Sequence, residues 1–111
     1  MQSWLTQLRK GLVELCVLAV LEDGEAYGYQ ILQRLASDEG LAVTESTVYP
    51  ILARLARVGS LTSRSAPSPS GPPRHYYRLT ALGRSRFREM KDQWRQINAA
   101  VDALLKEPRN G

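Results

Sequence analysis

The feature that most constrains the fold of this 111-residue chain is an unbroken heptad stripe near its C-terminus. The apolar residues of the heptad stripe alternate steps of three and four, and they are Phe87, Met90, Trp94, Ile97, Val101 and Leu104. This spacing lines all of them along one helix face, in the geometry of a contact between two helices. The helix is predicted to follow the N-cap Thr80 and to run to about Glu107, which at ~1.5 Å per residue is ~40 Å. No other segment offers an apolar partner of that length, so we predict that the heptad stripe forms a homodimer interface.

Three shorter helical patterns precede the heptad stripe. The first, from Trp4 to Glu22, is apolar on most of its circumference, which predicts a helix at the centre of the fold. The second is predicted from about Tyr27 to Ser37. The third follows the N-cap Thr44 and ends before Gly59. Pro50 inside it predicts a bend or a loosened first turn, because proline removes a helical hydrogen bond.

Two strand patterns lie between the third helix and the last. They cover Leu61 to Ser65 and Arg74 to Leu79, and the proline-rich stretch 66–73 between them is predicted to be an unpaired loop. The order of elements predicts a mainly α fold with a small β-hairpin. We expect a winged helix-turn-helix DNA-binding domain over residues 1–79 and a C-terminal dimerisation helix over residues 80–111.

The outward side of the third helix is the predicted DNA-contacting surface. Hydroxyl groups near its N-terminus suit base edges and phosphates in a major groove, and two arginines further along suit the phosphate backbone. These residues are Thr44, Ser46, Thr47, Tyr49, Arg54 and Arg57. On the second predicted strand, Arg74 and Tyr76 share the outward face beside the loop, which suits contact with phosphates or a minor groove. An ordinary solvated helix face has the same composition, and this alternative stays open.

The charge of the chain and its few reactive side chains narrow the classes of function. Fifteen Lys and Arg against eleven Asp and Glu give a net charge of +4, which fits a nucleic-acid partner. Cys16 and His75 are the only cysteine and histidine, so a zinc site, a disulfide framework and a nucleophile–base pair all lack their residues. We predict no catalytic residue, metal or cofactor, and we interpret Cys16 as an inert buried thiol. Without a long apolar run or a signal-peptide pattern, a cytoplasmic protein with no membrane contact is expected.

Several motifs occur in the order found in one known family. They are Tyr27-Gly28-Tyr29-Gln30-Ile31, Thr47-Val48-Tyr49-Pro50-Ile51-Leu52 with Arg54-Leu55, Gly59, and Tyr76-Tyr77-Arg78-Leu79-Thr80 with Gly83. From about Leu8 to Leu105 the chain resembles PadR-family transcriptional regulators, and its single final helix is similar to the short subfamily. The resemblance implies a winged helix-turn-helix, a homodimer and binding to inverted-repeat operators in double-stranded DNA. Short members often have basic residues where this chain has Pro72 and Pro73, so we expect a stiffer and less charged wing tip.

The same resemblance implies a ligand. Some short members resemble multidrug sensors, which bind flat aromatic compounds between subunits against the first helix and a tryptophan of the last. By this resemblance the ligand would be a planar aromatic small molecule, and the residues that contact it would be Leu8, Gly11, Leu15, Trp94 and Asn98. The alternative is that Trp94 only packs in the dimer interface, as aromatic side chains commonly do.

Two functions remain at this point. The first is a dimeric, sequence-specific DNA-binding regulator, a repressor that a small molecule releases. The second is a protein-interaction module that uses the winged helix and the heptad stripe without DNA. Salt dependence separates them, because binding through several phosphates weakens steeply as salt rises.

Overall fold

The computed structural model describes residues 3–106, and four helices and three strands follow one another in it. In chain order they are α1 (Trp4–Val20), a 3₁₀ turn (Leu21–Asp23), β1 (Ala26–Tyr27), α2 (Gly28–Ala36), α3 (Glu45–Arg57), β2 (Leu61–Ser68), β3 (Gly71–Leu79) and α4 (Ala81–Leu105). This arrangement confirms the predicted fold class, a winged helix with a long C-terminal helix. The predicted end of the last helix near Glu107 lies outside the described residues.

The core forms where α1, α2 and α3 meet the base of the sheet. Val17, Leu18, Ile31 and Leu52 are completely buried there, because each lies on the apolar face of its helix. The prediction that the whole first helix lies at the centre was wrong. Only its C-terminal half enters the core, and the side chain of Trp4 near its N-terminus is 74% exposed.

Strands β2 and β3 form a hairpin, the wing, and both strands are longer than the sequence predicted. Backbone pairing continues through most of the proline-rich stretch, so that only Pro69 and Ser70 lie between the strands. The stretch tolerates prolines because β1 pairs with β3 only at Tyr76 and Tyr77, which leaves one edge of β3 without a strand near the tip. The register also shifts between Ala66 and Ser68, around a further proline.

Helix α3 is held at both ends. Its first turn is closed by backbone hydrogen bonds from Thr47 and Val48 to the carbonyl of Thr44, so the loosened first turn predicted from Pro50 is not found. At the other end Gly59 has a φ of 86°, a left-handed conformation that favours glycine and ends the helix as predicted.

Helix α4 packs into the same core at its beginning. The Thr80 hydroxyl accepts a hydrogen bond from the Gly83 N–H at 3.0 Å and donates one to the Gly59 carbonyl at 2.6 Å. The side chain of Phe87 is only 4% exposed, and Met90 packs against the core beside it. Its own chain therefore covers Phe87, which argues against the predicted place of this residue in a dimer interface. Met90 is only half-buried, and its place in the interface stays a prediction.

Candidate nucleic-acid interface

The exposed side of α3 begins with a cluster of hydroxyl groups. Val48, Leu52 and Leu55 bury the opposite side of the helix, which turns Thr44 and Ser46 outward. The Oγ1 atom of Thr44 lies 3.0 Å from the Oγ of Ser46. These hydroxyls are exposed and can both donate and accept, so they suit base edges or phosphate oxygens. Thr47 is half-buried at the edge of the cluster, and Arg57 is exposed in the last turn of α3.

Tyr49 is placed by a glycine that sequence reasoning did not connect with it. A Cβ atom on Gly28 would stand 2.8 Å from the Cε1 atom of Tyr49, so the phenol ring packs directly on the first turn of α2. Burial, followed by the nearby charge of Glu45, raises the pKa of Tyr49. The hydroxyl therefore stays protonated at neutral pH and keeps its hydrogen-bond donor.

Arg54 is exposed, but it also pairs with a carboxylate that the sequence did not indicate. Its Nη2 atom lies 2.7 Å from Oε1 of Glu14 on α1, and the other oxygen of that carboxylate lies 3.6 Å from Nη2 of Arg86 on α4. The Glu14 side chain is largely shielded from solvent, and its contacts with Arg54 and Arg86 join α1, α3 and α4. Because a carboxylate compensates its charge, Arg54 is less suited to a phosphate than Arg57 is.

The outward face of the wing is a stack of aromatic rings and guanidinium groups. The Arg74 guanidinium lies 4.4 Å from the ring centre of Tyr27, and that of Arg64 lies 4.6 Å from Tyr76. The two rings meet edge to face at 5.5 Å. Arg74 and Tyr76 share the face that the sequence predicted. The Tyr27 side chain of the adjoining strand β1 lies on the same face and contacts both. Sequence reasoning missed Tyr27 and Arg64, since β1 is too short to show a strand pattern.

Of these two arginines, Arg64 forms an ion pair with Glu25, so Arg74 is the better candidate for binding an anion. The Glu25 carboxylate accepts hydrogen bonds from Nε and Nη2 of Arg64 at 2.9 and 2.6 Å. These bonds are the main reason that the pKa of Glu25 is lowered. Arg74 contacts the Tyr27 ring, an interaction that leaves its charge uncompensated.

A groove separates the wing from α3. Its volume is about 520 Å³, and Tyr29, Tyr49, Tyr77 and Arg74 are among its lining residues. Burial raises the pKa of Tyr77, so this hydroxyl also stays neutral. The groove thus combines neutral phenol hydroxyls with one cation, a combination that suits a phosphate backbone beside a base-contacting helix.

The predicted ligand-contacting residues do not meet within one chain. Leu8, Gly11, Trp94 and Asn98 are exposed, and Leu15 is half-buried. Ion pairs of α1 and of the 3₁₀ turn after it advance in the same direction as α4, from Glu14–Arg86 to Glu22–Lys91. Leu8 and Gly11 precede this contact on α1, whereas Trp94 follows it on α4. A site that contains both groups therefore requires a second chain.

The later part of the heptad stripe is uncovered. Trp94, Ile97, Val101 and Leu104 are all exposed, and so are the apolar side chains at the start of α1. Together they leave an apolar surface on two helices that the chain itself does not bury.

The Cys16 thiol, possible metal ligands and the apolar helices are the remaining features that the sequence raised. Burial raises the pKa of the half-buried Cys16 thiol, and the charge of Asp38 adds to the effect, so the thiolate is disfavoured. Within residues 3–106, no three His, Cys, Asp or Glu side chains are grouped so that they could hold a metal ion. None of the helices described is both long and apolar enough to cross a membrane.

The helical core, the hydroxyl-bearing third helix and the adjoining wing define a winged helix-turn-helix protein. Residues 17–89 match the model of the transcriptional regulator PadR-like family, and the chain belongs to this family. Its members are transcriptional regulators, so this protein is a transcriptional regulator and not an enzyme.

Solved structures of family members agree with this assignment. A PadR-like transcription factor from Bacteroides fragilis is 37% identical, with a TM-score of 0.74 over 89% of this chain and 95% of that one. A PadR family transcriptional regulator from Eggerthella lenta is 35% identical, with a TM-score of 0.80 over 93% and 89% of the two chains. A PadR-like transcriptional regulator from Bacillus cereus is 30% identical, with a TM-score of 0.81 over 92% and 99%.

Proposed function

We propose that this protein is a dimeric, sequence-specific DNA-binding repressor that binds inverted-repeat operators. The observation that supports this most is the exposed hydroxyl cluster of α3 beside the arginine-bearing wing. The similarity to transcriptional regulators over nearly the whole chain supports it independently. In a homodimer, two α3 helices would enter successive major grooves of the operator.

The residues divide by role in this proposal. Residues 1–79 contact DNA, and the part of 80–111 from Met90 onward holds the dimer together. Ser46, Thr47 and Tyr49 contact bases, whereas Arg57 and Arg74 contact phosphates. Thr44 and Tyr76 support them, the first by bonding to Ser46 and the second by packing against Tyr27. A repressor of this kind acts by occupying its operator, so any ligand that weakens DNA binding would release it.

Substitutions in the proposed interface should separate phosphate contacts from base contacts. We expect Arg57→Ala and Arg74→Ala to weaken binding to all sequences alike. Each should lower the slope of log K against log salt by about two, which is about one for each subunit of the bound dimer. Tyr49→Phe should instead change the preference among operators, because the ring stays on Gly28 while the hydroxyl is lost. Affinity measured at several salt concentrations checks both, with Arg95→Ala on α4 as the control.

The operator itself should come from selection in a random pool of duplexes. An enriched inverted repeat would support both the proposed function and its two-fold symmetry. Failure to enrich any sequence, with no salt-dependent binding, would favour the protein-interaction module instead. Unchanged affinity in all three variants would exclude α3 and the wing from the interface.

We further propose that a planar aromatic molecule binds between two subunits and releases the repressor. Trp94 and Gly11 are exposed, and nothing lies within 4 Å of the place where a Cβ atom on Gly11 would stand. Two tryptophans related by a dimer axis would form a slot that favours a stacked aromatic guest. To release DNA, the guest must bind the DNA-free form more tightly than the bound form.

Titration with intercalating dyes tests this ligand proposal. We expect quenching of Trp94 emission together with a loss of operator affinity. The Trp94→Ala variant must be measured in parallel, because Trp4 also fluoresces. If aromatic compounds quench Trp94 without changing operator affinity, ligand release is wrong while DNA binding is unaffected.

A further inference from the structure

A second groove lies on the other side of α3, between this helix and α1. Its volume is about 510 Å³. Arg9 and Lys10 of α1 line it on one side, Ser46 and Thr47 of α3 on the other, and the turn 41–43 closes one end. The residues that line this α1 groove include two cations and no carboxylate.

Arg9 is held in position at this groove. Its Nε atom donates a hydrogen bond of 2.9 Å to the carbonyl of Gly40, in the turn between α2 and α3. That turn is itself ordered, since the Asp38 carboxylate accepts from the Gly40 N–H at 2.9 Å. The bond to Gly40 uses one of the five N–H groups of the guanidinium, so the others can serve an anion.

The two grooves place cations on both sides of α3. Arg74 lines the wing groove, whereas Arg9 and Lys10 line the α1 groove, and the α3 side chains form the ridge between them. A helix with its side chains is ~10–12 Å across and nearly fills a major groove of ~12 Å. The two phosphate backbones that border the major groove therefore pass on either side of an inserted helix.

We infer that Arg9 and Lys10 form a second phosphate clamp, which grips the DNA strand opposite the one that the wing contacts. The inference rests on the proposed DNA-binding function and extends it to α1. Ser46 and Thr47 favour DNA over an unrelated small anion, because they line the α1 groove from the helix that would contact bases. A phosphate there would meet two cations directly beside the hydroxyls that contact bases.

The test uses the full-length protein and an operator selected from the random pool. We expect the double variant Arg9→Gln/Lys10→Gln to lower the salt slope by about two per subunit, or about four for the bound dimer. Affinity should weaken roughly 10²- to 10³-fold on every sequence. Arg88→Gln/Arg95→Gln is the matched control, since it removes two exposed charges from α4. Lys10→Gln alone should lower the slope by about two, one for each subunit, and it leaves the bond between Arg9 and Gly40 intact.

Ethylation of single phosphates shows which strand is contacted. In the unmodified protein, we expect interference on both borders of each major groove. Arg9→Gln/Lys10→Gln should remove interference on one border only, and Arg74→Ala on the other. If the unmodified protein binds DNA but Lys10→Gln and the double variant keep its salt slope, the clamp is wrong and the proposed function is unaffected. If the unmodified protein shows no salt-dependent DNA binding, the proposed function itself fails.

Discussion

Among the glycine-to-alanine substitutions in the described residues, Gly83→Ala is expected to destabilise this protein most. A Cβ atom at this position would stand 2.0 Å from the carbonyl oxygen of Ser60, which is backbone and cannot rotate away. The same carbonyl accepts the Thr80 N–H at 3.1 Å, so a shift would also disturb the cap of α4. We expect a loss of about 3 kcal/mol or more, a large part of the 5–15 kcal/mol typical of a whole domain.

Unfolding in denaturant measures this effect directly. Gly11→Ala is the matched control in a helix, because apart from its chain neighbours and the backbone of its own helix its Cβ would meet no atom within 4 Å. That variant should be as stable as the unmodified protein or more so, since alanine favours helix over glycine by up to about 1 kcal/mol. Equal midpoints for Gly83→Ala and the unmodified protein would contradict the packing of α4 against the end of α3.

Aspartate at Ile97 or Val101 is expected to convert a dimer into folded monomers. The two side chains are 58% and 44% exposed in the isolated chain, so a carboxylate there does not disturb the fold. In a dimer it would be buried without a partner, which costs several kcal/mol. A monomer can contact only one half of an inverted repeat, and we expect its operator affinity to fall by about 10²- to 10⁴-fold through lost avidity.

Sedimentation and operator binding, measured on the same samples, check this expectation. Ala99→Asp adds the same charge to the same helix away from the heptad stripe, and it should stay dimeric with unchanged affinity. Phe87→Asp should unfold the chain instead, because Phe87 belongs to the core. The dimer would be refuted if the unmodified protein sediments as a monomer at tens of micromolar, or if Ile97→Asp remains dimeric.

Much of the fold was predictable because its information is local. The apolar periodicity of α3 and α4, the side-chain cap at Thr80 and the glycine at position 59 each act within a few residues. Thr44 marks the start of α3, although its side chain forms no capping hydrogen bond. These signals placed the helices close to their observed bounds and gave the correct order of the four helices and the hairpin, although the short strand β1 was missed. The motifs around Tyr49 and Tyr77 were specific enough to indicate the family that residues 17–89 match.

The candidate site was predictable only in part. The outward positions of Ser46 and Tyr49 follow from the burial of Val48 and Leu52 on the opposite side of α3. The partners of the arginines do not follow from spacing. Arg54 lies at the edge of the apolar face, where a helical wheel alone cannot show that Glu14 stands within reach.

The sequence by itself determined which residues form helices, which face of each helix is apolar and which side of α3 is polar. The tertiary structure alone decided which apolar face is covered within the chain, so that Phe87 enters the core while Trp94 stays exposed. It also decided the contact of Tyr49 with Gly28 and the position of Arg9 beside α3. The physical reason is that the spacing of apolar residues in the sequence indicates only the direction in which a side chain leaves the axis of its own helix. The atoms that meet that side chain come from segments 20 or more residues away, and only packing brings them together.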